Sequence, residues 1–318
     1  MYRLREDHHL RGEARALRQG IQQMSSLPPL VPVEQGTYEP PSPVPVEGEA
    51  PPRIPHIGHA LLLFLIAFVA LVLSQGLLLV ISGAYHNPEV MASVLRNPKC
   101  ILAVQASLYL ATLLAAWIIF PMLWQRGFAE GIQWNAPKAK KLAWKIIPLG
   151  LVLSWGVQAI TSLITMPKSM PMDDFFKTRA DVWLITAFGT LLAPVVEEIF
   201  FRGFLFPAFA IAYDWLSLPR TPEAVLLWRS TTTLSTPAFF FSGFLTSIFF
   251  AWLHAAQLAH TWAAVAVLLC VSFLFTFVRV RTQSVACSAL LHASYNFCVF
   301  LTAFVVTGGY QHLDKMTR

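Results

Sequence analysis

The sequence predicts an all-α fold, a polytopic transmembrane helical bundle of about seven to eight spans behind a disordered polar amino-terminal tail. Three observations predict it. First, the 318 residues are 56% hydrophobic and only 13% charged, where a soluble domain carries about 25% charged residues. Second, the mean hydropathy is +0.57, and the apolar residues gather into seven runs of roughly 20, enough for a helix to cross about 30 Å of hydrocarbon. Third, the strict alternation that would mark a transmembrane barrel is absent, and lipid offers no partner to unpaired amides and carbonyls, so the runs must be helices.

Residues 1–59 form the polar tail. Its first part can make a charged helix from Arg11 to Met24. From Ser25 to Pro55 it holds ten prolines, including Pro28, Pro29, Pro40, Pro41, Pro51 and Pro52, which lack amide donors and fix φ, favouring an extended polyproline-II linker over a packed core. The seven segments follow, at Ala60–Ser82, Cys100–Trp124, Trp144–Thr165, Val182–Tyr213, Ala238–His254, Trp262–Val280 and Ser284–Thr307. Residues 60–165 thus supply amino-terminal helices, residues 166–307 a core, and residues 308–318 a short polar carboxyl-terminal tail. The fourth segment is long and contains Pro194 and Pro207, which predicts a kink or two shorter helices.

Lysine and arginine bias sets the orientation. The densest cluster, Arg126, Lys138, Lys140, Lys141 and Lys145, follows the second segment. Placing it in the cytoplasm puts the amino terminus there too, together with Arg220, Arg229, Arg279 and Arg281. The net charge of +6 fits loops beside anionic lipid. No basic stripe with interleaved aromatics points to nucleic acid. The four cysteines, Cys100, Cys270, Cys287 and Cys298, lie in apolar runs without Cys-x-x-Cys spacing and read as small buried hydrophobes.

Charged groups deep in the segments occur only in the fourth, at Glu197, Glu198 and Arg202. Each costs about 2.5–3.5 kcal/mol at the bilayer centre by insertion scales, so all three must face protein or water. Glu198 and Arg202 are four apart on one helical face and can pair; as a buried ion pair they need no further role than helix registration. Glu197 points about 100° away and is left for other work. The fifth segment adds Phe250 and His254, and the seventh adds His292 and Asn296, again four apart. Polar groups on separate apolar helices find partners chiefly in one another. A carboxylate in an apolar cavity is a competent general base; a histidine can hold the same water, and a second histidine with an amide can donate to a developing oxyanion. That set suffices to hydrolyse an amide bond.

Glu197-Glu198-x-x-x-Arg202, Phe250-x-x-x-His254 and His292-x-x-x-Asn296, with Gly203 and Thr282-x-Ser284, resemble the signature motifs of the CAAX protease and bacteriocin-processing intramembrane endopeptidases, which include the type II CAAX prenyl endopeptidases. The resemblance covers about residues 182–300. It implies an intramembrane peptidase in which Glu197 activates water, His254 assists, His292 and Asn296 stabilise the oxyanion, and Glu198, Arg202 and Phe250 support the site. It implies a peptide or protein substrate, including prenylated or hydrophobic carboxyl-terminal tails, within a lipid bilayer. No cofactor is favoured. Zinc on Glu197, His254 and His292 is the alternative, against which stand the weak ligand Asn296 and the lack of a His-Glu-x-x-His helix. A non-catalytic scaffold or immunity protein, and a proton-coupled transporter using the same groups as a relay, are the other readings. The transporter lacks an internal repeat.

Overall fold

The computed structural model describes residues 52–167 and 169–316. Seven long apolar helices carry the fold: α1 Ile57–Ile81, α2 Pro98–Trp124, α3 Ala136–Thr161, α4 Arg179–Ser217, α5 Thr236–His254, α6 Trp262–Thr282 and α7 Val285–Val306. Each is apolar and long enough to cross a bilayer, and no strand occurs among the described residues. The seven predicted segments are all present. The predicted charged helix at 11–24, and nearly all of the proline-rich stretch, lie outside the described residues.

Local sequence explains the helix starts. Asn97 accepts from the Lys99 amide with Pro98 opening α2, and Asn135 accepts from the Lys138 amide at the head of α3. Thr178, Ser235 and Ser284 cap α4, α5 and α7 in the same way. Short polar side chains satisfy the first orphan amides, and proline in the first turn loses nothing because its amide would be unpaired there.

The fourth helix is not split into two shorter helices, as one of the two expectations had it. It runs unbroken over 39 residues, about 58 Å at 1.5 Å per residue, nearly twice the hydrocarbon thickness. It contains two π-helical turns, Phe188–Leu192 and Ile199–Leu205. Each is followed within two residues by a proline. Ala193 reaches back five residues to the Phe188 carbonyl, and Phe206 does the same to Phe201. Pro194 and Pro207 come next and have no amide to give. The widened turn absorbs the missing donor, and the helix continues.

The outer faces are lipid-facing in character. Leu61, Phe68, Leu73 and Val80 on α1 are largely exposed, as are Phe240, Phe241 and Phe244 on α5, so the phenylalanine-rich run of α5 is mostly bundle exterior. Only Phe250 of that run is fully buried. Helices approach closely where side chains are small: a Cβ on Gly150 of α3 would stand 2.7 Å from Ser294 Cβ and 3.0 Å from the Leu291 carbonyl of α7. The four thiols are free. Cys287 and Cys298 are buried as predicted, but Cys100 is half-buried and Cys270 is exposed, on the outward side of α6 where a thiol meets lipid at little cost.

Candidate active site

Five helices, α2 and α4–α7, bring the intramembrane polar residues together. Glu198 and Arg202 are both fully buried and bonded at 2.8 Å through Oε1 and Nη1. Arg202 also donates to the Ser272 carbonyl at 2.7 Å and hydroxyl at 2.6 Å on α6, and its Nε donates to Thr276 at 3.3 Å. Its guanidinium carbon lies 5.0 Å from the Phe250 ring centre and 5.4 Å from that of Phe275. The charge is thus fully desolvated, paired, and bonded through all three nitrogens, which is what a buried arginine requires.

Glu197 is built differently. Its side chain keeps 14% exposure and accepts one hydrogen bond, from the Tyr109 hydroxyl of α2 at 3.1 Å. Tyr109 in turn accepts from Gln105 at 3.3 Å. The other carboxylate oxygen, Oε2, stands 3.9 Å from His254 Nε2 and 4.0 Å from His292 Nε2. Those spacings are too long for direct hydrogen bonds and admit one water among the three atoms.

The other ring nitrogens fix both imidazoles. His254 Nδ1 is 2.7 Å from the Phe250 carbonyl, which only accepts, so Nδ1 carries a proton and Nε2 is the ring nitrogen that faces Glu197. His254 also stacks on Phe250, ring centres 4.5 Å apart. His292 Nδ1 is 3.1 Å from Glu198 Oε1, so the same carboxylate that pairs with Arg202 orients His292, whose ring stacks on Phe275 at 4.7 Å. Glu198 and Arg202 therefore do more than register helices; they hold an imidazole toward Glu197.

Asn296 depends on the first π turn. In an α-helix the Gly189 carbonyl would accept from Ala193, whose amide goes to Phe188 instead, and in a π-helix from residue 194, which is proline. The carbonyl is left open, and Asn296 Nδ2 donates to it at 2.7 Å. One amide hydrogen of Asn296 is committed there; the other is free to donate. Gly189 permits the approach, since a Cβ would lie 2.8 Å from the Phe300 ring.

Glu197, Phe250, His254, His292 and Asn296 all line one cavity of about 400 Å³. Gln105, Gln257 and Tyr295 add polar groups to its wall, while Met172, Phe175, Phe188 and Phe300 supply apolar surface. Tyr109, Gln105 and Gly189 were not singled out by sequence. Tyr109 and Gln105 sit in an otherwise unremarkable apolar run, and the one usable signal for Gly189 was its spacing before Pro194.

The same distances bear on zinc. Ligand atoms about 2.0–2.1 Å from a tetrahedral ion stand roughly 3.3 Å apart, whereas Glu197 Oε2 is 3.9 and 4.0 Å from the two imidazole nitrogens. Among the described residues no group of three His, Cys, Asp or Glu is arranged to hold a metal ion.

Residues 179–298 match the model of the family described as Type II CAAX prenyl endopeptidase Rce1-like. The resemblance carried by the three motifs is thus borne out over that segment, and the seven long apolar helices make the chain a multi-pass membrane protein. It is also 27% identical over 239 residues to an uncharacterized protein, YyaK, of Bacillus subtilis (strain 168), covering 71% of this chain and 70% of that protein. No solved structure matches.

Proposed function

We propose that the protein is an intramembrane endopeptidase that hydrolyses a peptide bond with a water activated by Glu197. The observation that carries this reading is the convergence of Glu197 Oε2 with the Nε2 atoms of His254 and His292 at 3.9 and 4.0 Å. A water there donates one hydrogen to the carboxylate and the other to the His254 lone pair, so its oxygen lone pair is turned outward. On attack at a scissile carbonyl the proton passes to Glu197, and from there to the leaving amine. The oxyanion that forms is met by the free Asn296 amide hydrogen and by a proton on His292 Nε2, while the Nδ1 of the same ring stays hydrogen-bonded to Glu198 Oε1. Such donors act in a cavity with little competing water, where each is worth several kcal/mol.

No step in this scheme uses a metal. The substrate class is a peptide or protein segment with apolar character, because the wall of the cavity beyond the polar cluster is aromatic and aliphatic. The test is a peptidase assay on purified protein, wild type against Glu197→Gln, each with and without a chelator. Cleavage lost in Glu197→Gln and retained with chelator is the expected result. Cleavage retained in the variant refutes the glutamate mechanism; cleavage abolished by chelator and restored by zinc refutes its metal-free form.

A further inference from the structure

A second cavity, of about 480 Å³, lies at the other end of the bundle and shares no lining residue with the first. Three arginines from separate segments border it: Arg53 before α1, Arg126 after α2 and Arg279 near the end of α6. Arg279 is the unusual one. It is only 5% exposed, and Nη2 donates to Gln133 Oε1 at 2.6 Å, while Nε is buried without any partner. The comparison with Arg202 is direct. Both guanidiniums are desolvated; Arg202 has Glu198 at 2.8 Å, and Arg279 has a neutral amide. Glu130 also borders the cavity, yet none of the ion pairs among the described residues joins it to an arginine. Burying an uncompensated charge is among the costliest arrangements a fold can hold, so the geometry calls for an anion in the space that Arg279 faces.

We propose that this cavity binds a phosphate-type oxyanion, either the headgroup of an anionic phospholipid or free phosphate. Guanidinium nitrogens match phosphate oxygens in a fork. Arg126, half-buried and bonded to no described group, supplies a second, movable cation. Gln133 and Gln283 offer amide donors on the same wall. The remaining wall includes Phe206, Ile211 and Phe239, which suit the glycerol and first methylenes of a lipid. The site sits where helices end and loops begin, at the depth of headgroups, where basic pockets between spans take up anionic lipid. Arg53 is tied down by its bonds to the Thr231 and Thr233 carbonyls, at 2.8 and 2.9 Å, and frames the rim.

The full-length protein in detergent micelles tests this through its thermal midpoint. The probes are inorganic phosphate against chloride at equal ionic strength, and short-chain phosphatidylglycerol against phosphatidylcholine. Wild type should show a saturable rise with phosphatidylglycerol. A matching rise with inorganic phosphate identifies the bare anion as sufficient; a rise with the lipid alone identifies the headgroup held in a bilayer. Arg126→Gln should weaken the half-saturating concentration about tenfold or more, as loss of one charged hydrogen bond does, and Arg279→Gln should remove the response. Should Arg279→Gln fail to fold, Arg126→Gln decides alone, with Arg229→Gln, which does not line the cavity, as the control that should leave binding unchanged. The proposal is overturned if chloride and phosphatidylcholine act as well as the phosphate probes, or if Arg126→Gln binds like wild type.

Discussion

Glu197 and Glu198 are neighbours in sequence, and replacing each by glutamine should separate catalysis from stability. Glu198 is fully buried against Arg202 and His292. Glutamine there removes the charge and leaves Arg202 desolvated with only neutral acceptors, the Ser272 carbonyl and hydroxyl and Thr276. Breaking a buried pair from one side costs about 3–5 kcal/mol. Glutamine retains one neutral hydrogen bond to Nη1, worth about 0.5–1.5 kcal/mol, so a net loss of about 2–4 kcal/mol is expected. At roughly 2–4 °C per kcal/mol for a chain of about this size, the thermal midpoint should fall by about 4–16 °C. Glu197→Gln keeps the acceptor for Tyr109 and unpairs no cation, so it should stay within about 1 kcal/mol of wild type while losing peptidase activity. The double variant Glu198→Gln/Arg202→Met should recover much of the single variant's loss, since both members of the pair are then neutral. The assay is thermal unfolding in one detergent, run beside the peptidase assay. Equal destabilisation by Glu197→Gln and Glu198→Gln, or a Glu198→Gln protein as stable as wild type, would refute this division of labour.

The other predictions concern smaller parts of the site and the entry to α1. Asn296→Ala should lower kcat about 10²–10³-fold, the range for one lost oxyanion donor, with a smaller change in KM; an unchanged kcat would remove Asn296 from the oxyanion site. Tyr109→Phe deletes the 3.1 Å bond to Glu197 and should reduce kcat several-fold without altering the unfolding midpoint by more than about 1–1.5 kcal/mol. Gly189→Ala forces a Cβ to 2.8 Å from Phe300 and should lower both activity and stability, the latter by about 1–3 kcal/mol. His56 accepts from the Gly58 amide through Nδ1 at 3.1 Å to cap α1, and burial holds its pKa below the ordinary value. A depressed histidine resists protonation in the fold, so its contribution is complete above the unfolded value of about pH 6.5 and is lost as pH falls from there through its lower folded value. His56→Asn, which caps without titrating, should flatten the fall in midpoint between pH 7.5 and 5 by the equivalent of about 0.5–1 kcal/mol; identical pH profiles would contradict the cap.

What the sequence made legible follows from where lipid constrains it. All seven spans could be read because a membrane helix must be continuously apolar. Glu198 with Arg202 was readable as an i,i+4 pair. The fate of Pro194 and Pro207 was not, since proline in a helix can kink it, break it or widen a turn, and at Pro194 the carbonyl left open finds Asn296 of α7. The Tyr109 bond to Glu197 was equally hidden. Helical periodicity tells which residues of one span share a face, but not which faces of α2 and α4 meet. His292 was assigned to the oxyanion pair alone, whereas its Nδ1 contact with Glu198 makes it the link between the buried ion pair and the cavity.

Connectivity raises a sharper question about the side from which substrate arrives. Seven crossings put the 125–135, 218–235 and 283–284 connections on the side of the amino terminus, and the 162–178 and 255–261 connections on the other. The cavity that holds Glu197 is walled by Pro171, Met172, Phe175, Gln257 and Leu258, so it belongs to the second side. His254 ends α5, whereas His292 lies fourteen residues before the end of α7, about 21 Å along its axis; their meeting draws the 255–261 turn down into the bundle and sets the scissile position below that surface. If the lysine cluster after α2 sets the amino terminus in the cytoplasm, as charge bias expects, the cavity turns toward the opposite face. A prenylated cytoplasmic tail would then be on the wrong side, and apolar peptides on the outer side would be the substrates. Ser162 and Ser217 are both exposed, on opposite sides. With a membrane-impermeant maleimide on sealed right-side-out vesicles, Ser162→Cys should label and Ser217→Cys should not, relative to the native cysteine background. The reverse pattern would overturn the charge-based orientation and return cytoplasmic tails to the reach of Glu197.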